Sequence, residues 1–507
     1  MKSSNAVGPQ GPGAQMLRGS VWMVAMRWAI RLTGVVSTVI LARLLNPKDF
    51  GVVAIAMIVV GMFEMLSLTG QGQAIIRHRN PTRAHYDTAW TISVLIGLGI
   101  AVAIVVAAPL TRVYFHDDRS VLVMQCLSLR ALLAGFENIG TLDFRRDLRF
   151  DRVFGYNYYA KLISFTLTIS LALLLRSYWA LVAGILVGQL ARTVLSYVMH
   201  PYRPRFSFAA MSEIWSFSIW TFARAIGGYF MAQVEVIAIG GVAGAPSMGR
   251  YTVAKDVASS PTDELNDPVV TVLFPVMARH QDDPQQLRQL YLRTLGWSAL
   301  IGVSTGTGVM MVAPDMVSVI LGPKWIDITP LMGWLALTAG VATLTNSGFT
   351  LLDIIGLPHL GARMQWLRLG WLALAVFPAA YLTGDLVVVA AARFAMTVLF
   401  IPSLLFTVGR RTNVSLLDHG SVLWRPFVAG AILAGAIWCL NTALPFGGIL
   451  RLAIDVSAGI GVFVGSLLGL WVISGRPPTA ERDLVGLVQH GRLKLSAIRD
   501  RVLNTAR

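Results

Sequence analysis

The sequence predicts an all-α polytopic membrane protein with about fourteen transmembrane helices, arranged as two pseudo-symmetric six-helix lobes followed by two C-terminal helices. Three observations support this fold class. Only 13% of the 507 residues are Asp, Glu, Lys or Arg, whereas a soluble domain has about 25%. Apolar residues make up 55% of the chain and are grouped in long stretches, and these stretches form an internal repeat. A soluble protein is therefore excluded.

A helix needs about 20 residues to cross the hydrocarbon core of a bilayer. Each predicted span is an apolar stretch of roughly this length. The eighth stretch is the weakest, because five charged residues between positions 255 and 267 interrupt it. The spans are predicted at residues 19–45, 51–70, 88–108, 121–142, 156–175, 178–198, 217–243, 248–274, 294–313, 328–352, 364–383, 386–408, 426–444 and 450–473.

Basic residues are distributed unevenly between the two sides of the membrane that these spans define. With the N-terminus inside, the cytoplasmic segments contain most of the Arg and Lys residues, such as Arg145, Arg146 and Arg149. The opposite loops contain few, among them Arg119 and Lys324. Cytoplasmic loops carry the excess of positive charge, so we expect a multi-pass protein of the bacterial inner membrane with both termini in the cytoplasm. The net charge of +16 then reflects orientation and contact with anionic lipids, and no nucleic-acid partner is expected.

The predicted organisation has five parts. Residues 1–16 form a flexible cytoplasmic leader, residues 17–205 the N-lobe with six spans, and residues 206–410 the C-lobe with six more. Residues 411–475 hold spans thirteen and fourteen. In residues 476–507 apolar side chains alternate with Arg and Lys at helical spacing, which predicts a basic amphipathic cytoplasmic tail on the lipid headgroups.

Spans one and seven carry matching features, and these are the evidence for two related lobes. Arg27 and Arg224 lie 197 residues apart, and Gly51 and Gly249, which open the following spans, lie 198 residues apart. A proline turn precedes each of the two glycines. Transporters are commonly built from duplicated halves, so this repeat favours a transport function.

Several local motifs have the same order as in a known family. They are a long first span, the Pro-x-x-x-Gly turn at residues 47–51, the Gly-rich residues 68–76, the basic loop 142–150 and the start of span eight at residues 249–251. Over about residues 17–475 the chain resembles the polysaccharide-transport flippases of the multidrug/oligosaccharidyl-lipid/polysaccharide exporter superfamily.

The resemblance implies two six-helix bundles that move a polyprenyl-(pyro)phosphate-linked oligosaccharide across the inner membrane by alternating access. This step serves cell-surface polysaccharide biosynthesis and involves no covalent chemistry. The lipid-linked oligosaccharide and membrane lipids are the expected partners, and a polysaccharide polymerase with its co-polymerase is a further candidate.

Residues suited to catalysis or to metal binding do not form a usable pattern. All eight histidines lie outside the predicted spans and are spread over several loops and the tail, without the spacing of a metal site. Cys126 and Cys439 lie in separate apolar runs, where we interpret them as packing residues. We therefore expect no catalytic residue, no metal, no cofactor and no enzymatic activity.

Basic residues inside predicted spans are the most informative signal for function. A charge at the centre of a transmembrane helix costs about 2.5 to 3.5 kcal/mol on insertion scales and rarely faces lipid. Arg27 and Arg31 lie one turn apart on span one, Arg224 lies on span seven and Lys255 on span eight. A guanidinium pairs with phosphate oxygens in a bidentate way. We interpret these cations as a binding site for the phosphate of the lipid-linked oligosaccharide.

The carboxylates Glu64, Glu235 and Asp263 inside predicted spans have two interpretations. One is the binding of a coupling H+ or Na+, as for many intramembrane carboxylates. The other is that they line a wet cavity or neutralise a cation, and Arg27 lies at the same predicted depth as Glu64.

Arg130 and Arg393 lie deeper within their predicted spans than the other basic residues near span ends. Interhelical pairing is the expectation for both of them. Glu137, seven residues beyond Arg130, is a candidate partner of Arg130.

Two other functions are compared with the flippase. An ion-coupled drug or cation exporter of the same superfamily would be expected to have an acidic cavity, whereas spans one and seven carry mainly arginine. A membrane-embedded polysaccharide polymerase or ligase would be expected to have a catalytic carboxylate pair on a long non-cytoplasmic loop, and the sequence shows none. The flippase is favoured over both.

Overall fold

The computed structural model describes residues 12–65, 75, 81–147, 149–211, 219–443, 447–477 and 479–486. For residues 12–27, 145, 150, 219–225, 271–272 and 274–275 it describes the backbone only. Within the described residues the regular structure is helical, and ten helical segments are long and apolar enough to cross a membrane. The chain is an all-helical polytopic membrane protein, as the sequence predicts.

Thirteen long helices are present in the described residues, and proline occupies the first turn of α2, α8, α9 and α10, where its missing N–H costs no helical hydrogen bond. The helices are α1 (Pro12–Leu44), α2 (Pro47–Glu64), α3 (Arg83–Phe115), α4 (Arg119–Gly135), α5 (Phe150–Leu175), α6 (Trp179–Met199), α7 (Ile219–Arg279), α8 (Pro284–Met316), α9 (Thr329–Ile354), α10 (Pro358–Thr383), α11 (Leu386–Thr412), α12 (Leu416–Ala443) and α13 (Ile449–Ile473).

Helix α7 is too long to be a single membrane span. Its 61 residues would extend about 90 Å at 1.5 Å per residue, whereas the hydrocarbon core is about 30 Å thick. The helix is broken at Gly244, which has φ of 70° and ψ of −176°, a conformation that favours glycine. This break falls in the turn predicted between spans seven and eight.

The chain divides into two compact units, Met1–Thr252 and Val253–Arg507. In the first unit α3 packs on α4, α5 on α6 and α1 on α5. In the second unit α8 packs on α9 and on α12, and α9 packs on α11. The boundary lies inside α7, so the predicted lobe boundary at residues 205/206 stays a prediction, as do the count of fourteen spans and the side of each terminus.

Glycines allow the closest helix contact in each unit. Between α3 and α4, a Cβ atom on Gly97 or on Gly135 would lie 2.7 Å from a carbonyl oxygen of the partner helix. Between α8 and α9, a Cβ atom on Gly302 or on Gly340 would lie 2.2 Å from the other glycine's carbonyl oxygen. Small residues allow transmembrane helices to approach in this way. The second pair follows the first by 205 positions at both residues.

Candidate transport site

The four cations predicted to bind phosphate are described to different extents. Arg31 is half-buried on α1, and Lys255 is half-buried on the second part of α7. The side chains of Arg27 and Arg224 lie outside the described residues. Arg31 belongs to the first unit and Lys255 to the second, so the convergence of these cations on one ligand stays a prediction.

The three predicted ion-coupling carboxylates differ in burial. Glu235 on α7 is fully buried within the first unit, whereas Asp263 is exposed in the second unit. Glu64 at the end of α2 is about one quarter exposed. A coupling role stays a prediction for all three.

Glu64 has a cationic partner on a neighbouring helix. Nη2 of Arg130 on α4 lies 3.2 Å from Oε2 of Glu64, and Nη1 of Arg130 lies 3.9 Å from Sδ of Met57 on α2. The two charged side chains are exposed to similar extents, 27% and 25%. An ion pair between spans lowers the cost of both charges, so this pair links α2 to α4.

A tyrosine of α7 packs beside the same part of α2. The O–H of Tyr229 donates a hydrogen bond to the backbone carbonyl of Ile58. The ring lies over Gly61, where a Cβ atom would be 2.8 Å from the hydroxyl oxygen. Within the first unit, α2 therefore contacts both α4 and α7 through polar side chains.

Interhelical pairing of Arg130 is confirmed by its contact with Glu64 on α2, but the candidate partner Glu137 is wrong. Glu137 instead lies 3.3 Å from Arg192 Nε and accepts hydrogen bonds from Gln189 Nε2 at 2.7 Å and from the Tyr156 O–H at 2.8 Å. The reason is that α4 ends at Gly135, so the seven-residue spacing no longer follows one helix face. Glu137 therefore joins α5 and α6 instead of pairing within α4.

Replacement of Glu64 by Ala should destabilise the folded protein by about 1 to 3 kcal/mol, between the values for exposed and buried ion pairs. Arg130 would then keep a partly buried charge without its carboxylate. Fluorescence-detected size-exclusion chromatography of the membrane extract measures the folded amount. Glu64→Ala with Arg130→Met should restore that amount. Restoration by Arg27→Ala instead would identify Arg27 as the main partner of Glu64.

The repeat in the sequence predicts that the proline turns before Gly51 and before Gly249 are equivalent. These two turns contact each other, and both lie in the first unit. A Cβ atom on Gly51 would lie 1.7 Å from the carbonyl oxygen of Ala245, and one on Gly249 would lie 2.0 Å from the carbonyl oxygen of Pro47. Each glycine thus faces the residue that stands four positions before the other glycine. Such a reciprocal contact is the arrangement expected of two elements related by a two-fold axis. We call it the glycine turn contact.

A polar cavity of about 550 Å³ lies beside the glycine turn contact, lined in part by Lys48, His116, Asp117 and Arg119. Asp117 accepts hydrogen bonds from Arg119 Nε at 3.0 Å and from its Nη2 at 2.7 Å. Burial alone would raise the pKa of Asp117, but these hydrogen bonds and the charge of Arg119 lower it. The carboxylate is therefore charged at neutral pH. The cavity offers charges of both signs to a polar molecule at this end of the helices.

Residues 202–210, which follow α6, are held on the first turns of α3. The Tyr202 O–H donates to Asp87 Oδ1 at 2.6 Å, and the Arg205 backbone N–H donates to the same oxygen at 2.8 Å. Backbone N–H groups further along donate to the hydroxyls of Thr91 and Thr88. Burial and Asp87 raise the pKa of Tyr202, so its O–H remains a donor at neutral pH. This link was not predicted from the sequence, where its signal is three polar residues, Asp87, Thr88 and Thr91, within about one turn of an apolar span.

No three His, Cys, Asp or Glu side chains within the described part of the chain are arranged to hold a metal ion. Comparison with known proteins then assigns the family. The model of a family described as polysaccharide biosynthesis protein matches residues 40–330, more than half of the chain. The chain belongs to this family.

The matches to two relatives each cover about two thirds of this chain. The chain is 25% identical over 338 residues to the lipopolysaccharide biosynthesis protein WzxC of Escherichia coli (strain K12), covering 65% of this chain and 68% of that one. It is also 25% identical over 335 residues to the succinoglycan biosynthesis transport protein ExoT of Rhizobium meliloti (strain 1021), covering 65% and 67%. The resemblance to polysaccharide-transport proteins is confirmed.

The fold of the polysaccharide biosynthesis protein is similar to that of a solved flippase. The structure titled lipid II flippase MurJ, inward closed conformation, has a TM-score of 0.73 and covers 92% of this chain and 99% of its own. The two sequences are 11% identical, so this similarity concerns the fold alone.

Proposed function

We propose that this protein is a flippase that moves a polyprenyl-(pyro)phosphate-linked oligosaccharide across the bacterial inner membrane for cell-surface polysaccharide biosynthesis. It is a transporter of polysaccharide biosynthesis rather than an enzyme. The names of WzxC and ExoT refer to two different polymers, lipopolysaccharide and succinoglycan. This difference supports a lipid-linked saccharide as the class of cargo, with the sugar varying among relatives.

The glycine turn contact is the observation that best supports transport by alternating access. An oligosaccharide cannot pass where even one Cβ atom has no space, so the two turns must separate before cargo leaves on that face. The main-chain atoms of the two turns approach each other directly. We propose that this contact opens and closes as a gate between two lobes.

Two related six-helix lobes and fourteen spans are part of the proposal. Helix α7, broken at Gly244, provides two spans, and the twelve other long helices of the described residues bring the number to fourteen. The shared offset of 205 between the glycine pairs of α3–α4 and α8–α9 supports duplication. We assign residues 17–205 and 206–410 to the lobes and residues 411–475 to two added helices, with both termini cytoplasmic.

We propose that the (pyro)phosphate of the cargo is held by Arg27, Arg31, Arg224 and Lys255 while the sugars cross. Phosphate loses its hydration on leaving the headgroup region, and guanidinium groups replace those hydrogen bonds. Glu235, which is fully buried on α7, is the first candidate for coupling to H+ or Na+ because a buried carboxylate in a span is costly unless it serves a function. A polymerase and co-polymerase are proposed to receive the product.

The purified full-length protein in liposomes should move a lipid-linked oligosaccharide between leaflets without changing its mass. Arg27→Ala with Arg224→Ala should slow the initial rate by about tenfold or more, since each charge-assisted hydrogen bond contributes about 1.5 to 3 kcal/mol. Accessibility of the sugar to an added lectin measures the rate, and mass spectrometry checks the product. Arg112→Ala is the control, because Arg112 pairs with Asp118 at the surface with both side chains at least 70% exposed.

Two outcomes of this experiment would overturn different parts of the proposal. A new glycosidic or phosphoester product would contradict the transport function. A normal rate in the double variant, at normal abundance, would refute the cationic phosphate site and leave the flippase function standing.

A further inference from the structure

The chain that follows α13 turns back onto the helices of the second unit. Nε1 of Trp471 donates a hydrogen bond to the carbonyl of Pro477 at 3.0 Å. Arg425 of α12 then donates from Nε to Glu481 Oε1 at 2.8 Å and from Nη2 to Thr479 Oγ1 at 3.2 Å. Arg425 and Glu481 are each only 3% exposed. A buried pair of this geometry holds the segment in one position.

A second ion pair and an apolar contact complete the attachment. Arg293 of α8 binds the carboxylate of Asp483 with Nε and Nη2, and Leu484 packs on the apolar cluster formed by α8, α12 and α13. The sequence predicts residues 476–507 as an amphipathic tail on the headgroups. The described residues up to 486 are held on the protein, and residues 487–507 lie outside the description, so the amphipathic tail stays a prediction.

A cavity of about 460 Å³ lies between this segment and the end of α13, lined by Trp471, Val472, Arg476, Arg482, Val485 and Gly486. We call it the α13 cavity. Both of its arginines are exposed. The carboxylates on either side of Arg482, those of Glu481 and Asp483, are already bound by Arg425 and Arg293. Among the described residues, the two arginines of the cavity therefore have no carboxylate partner.

The location of the α13 cavity matches the headgroup level of a bilayer. Helix α13 is one of the segments long and apolar enough to span the membrane, and the cavity begins at its last turn. Trp471 and Val472 supply an apolar wall beside two cations, a combination typical of the membrane interface. Arg476 has a φ of 56°, a backbone conformation that favours glycine. The backbone conformation therefore does not explain why an arginine stands at this position.

We propose that the α13 cavity binds the phosphate of an anionic phospholipid of the surrounding bilayer. The two guanidinium groups donate charge-assisted hydrogen bonds to the phosphate oxygens, and the acyl chains continue along the apolar surface of α13. Basic clusters next to the end of a transmembrane helix bind anionic lipids in this way. The α13 cavity shares no residue with the cargo site proposed on α1 and α7, so either proposal can fail alone.

Native mass spectrometry of the full-length protein in detergent, titrated with phosphatidylglycerol, tests this proposal. Arg476→Gln with Arg482→Gln should weaken binding by about thirtyfold, since each basic residue near the surface contributes about 1 kcal/mol. Arg410→Gln with Arg411→Gln is the matched control, because these exposed arginines also end an apolar helix, α11, but do not line the α13 cavity. The control should change the affinity by less than about threefold. Arg476→Lys with Arg482→Lys should retain most of the binding.

Competition experiments distinguish the sources of phosphate. Phosphatidylcholine and millimolar inorganic phosphate should displace phosphatidylglycerol poorly if the site recognises an anionic lipid. Displacement by inorganic phosphate as effectively as by phosphatidylglycerol would assign the site to a soluble anion and overturn the proposal. Tighter binding of polyprenyl phosphate, with loss of transport in the glutamine variant, would place the cavity on the cargo pathway instead. Equal phosphatidylglycerol affinity in the glutamine variant and its control would also refute the proposal.

Discussion

Gly51→Ala combined with Gly249→Ala should reduce transport of the lipid-linked oligosaccharide by about hundredfold. Each new Cβ atom would lie within 2.0 Å of a backbone carbonyl oxygen, so the glycine turn contact cannot form without backbone movement. Overpacking typically costs about 1 to 3 kcal/mol per site, and about 3 kcal/mol in total makes the closed arrangement about a hundredfold rarer. The rate per inserted protein in liposomes measures the effect.

Helix propensity cannot account for such a loss. Ala is favoured over Gly in a helix by about 1 kcal/mol, so the substitutions by themselves stabilise their helices. Gly99→Ala in α3 is the control, because a Cβ atom there has no neighbour within 4 Å, and it should transport at the normal rate. The two single variants should be impaired to similar extents, since the contact is reciprocal. Normal transport by the double variant would show that the contact is not part of the transport cycle.

Arg425→Ala should lower the free energy of unfolding by about 3 to 5 kcal/mol, the cost of removing one partner of a buried ion pair. Glu481 would remain almost fully buried without its guanidinium, and Thr479 would lose a donor. The midpoint of thermal unfolding in detergent, together with denaturant titration, measures the change.

An exposed ion pair in the same unit provides the control for this variant. Arg288 lies 2.8 Å from Asp418, with side chains 43% and 27% exposed, so Arg288→Ala should cost no more than about 1 kcal/mol. Arg425→Met with Glu481→Gln should recover most of the stability lost in Arg425→Ala, because no buried charge remains. Equal effects of Arg425→Ala and Arg288→Ala would show that the segment after α13 contributes little to stability.

Much of the fold follows from local composition. A helix in lipid satisfies its backbone groups within the segment itself, so the length of an apolar run is enough to predict a span. The turn at Gly244 and the start of α2 at Pro47 also depend on residues close in sequence. The polytopic membrane class could therefore be predicted from the sequence, and the order of its local motifs was enough to predict the polysaccharide-transport family.

Charge pairs between helices could not be predicted in the same way. The spacing of Arg130 and Glu137 predicts a pair only if α4 continues to residue 137, and it ends at Gly135. The actual partner of Arg130, Glu64, stands on another helix. Which carboxylate pairs with Arg130 depends on which helices are neighbours and on the depth of each charge in the membrane. The spacing of residues along the sequence encodes neither.

The sequence by itself determined which residues place charge inside the membrane and which glycines recur at an offset of 198. Only the tertiary structure decided that Gly51 lies against Ala245 and Gly249 against Pro47. It also decided that the segment after α13 is held by Glu481. The physical reason is that helix formation depends on neighbours within about four residues, whereas these contacts join residues far apart in the chain and require helices packed closely enough for their backbones to touch.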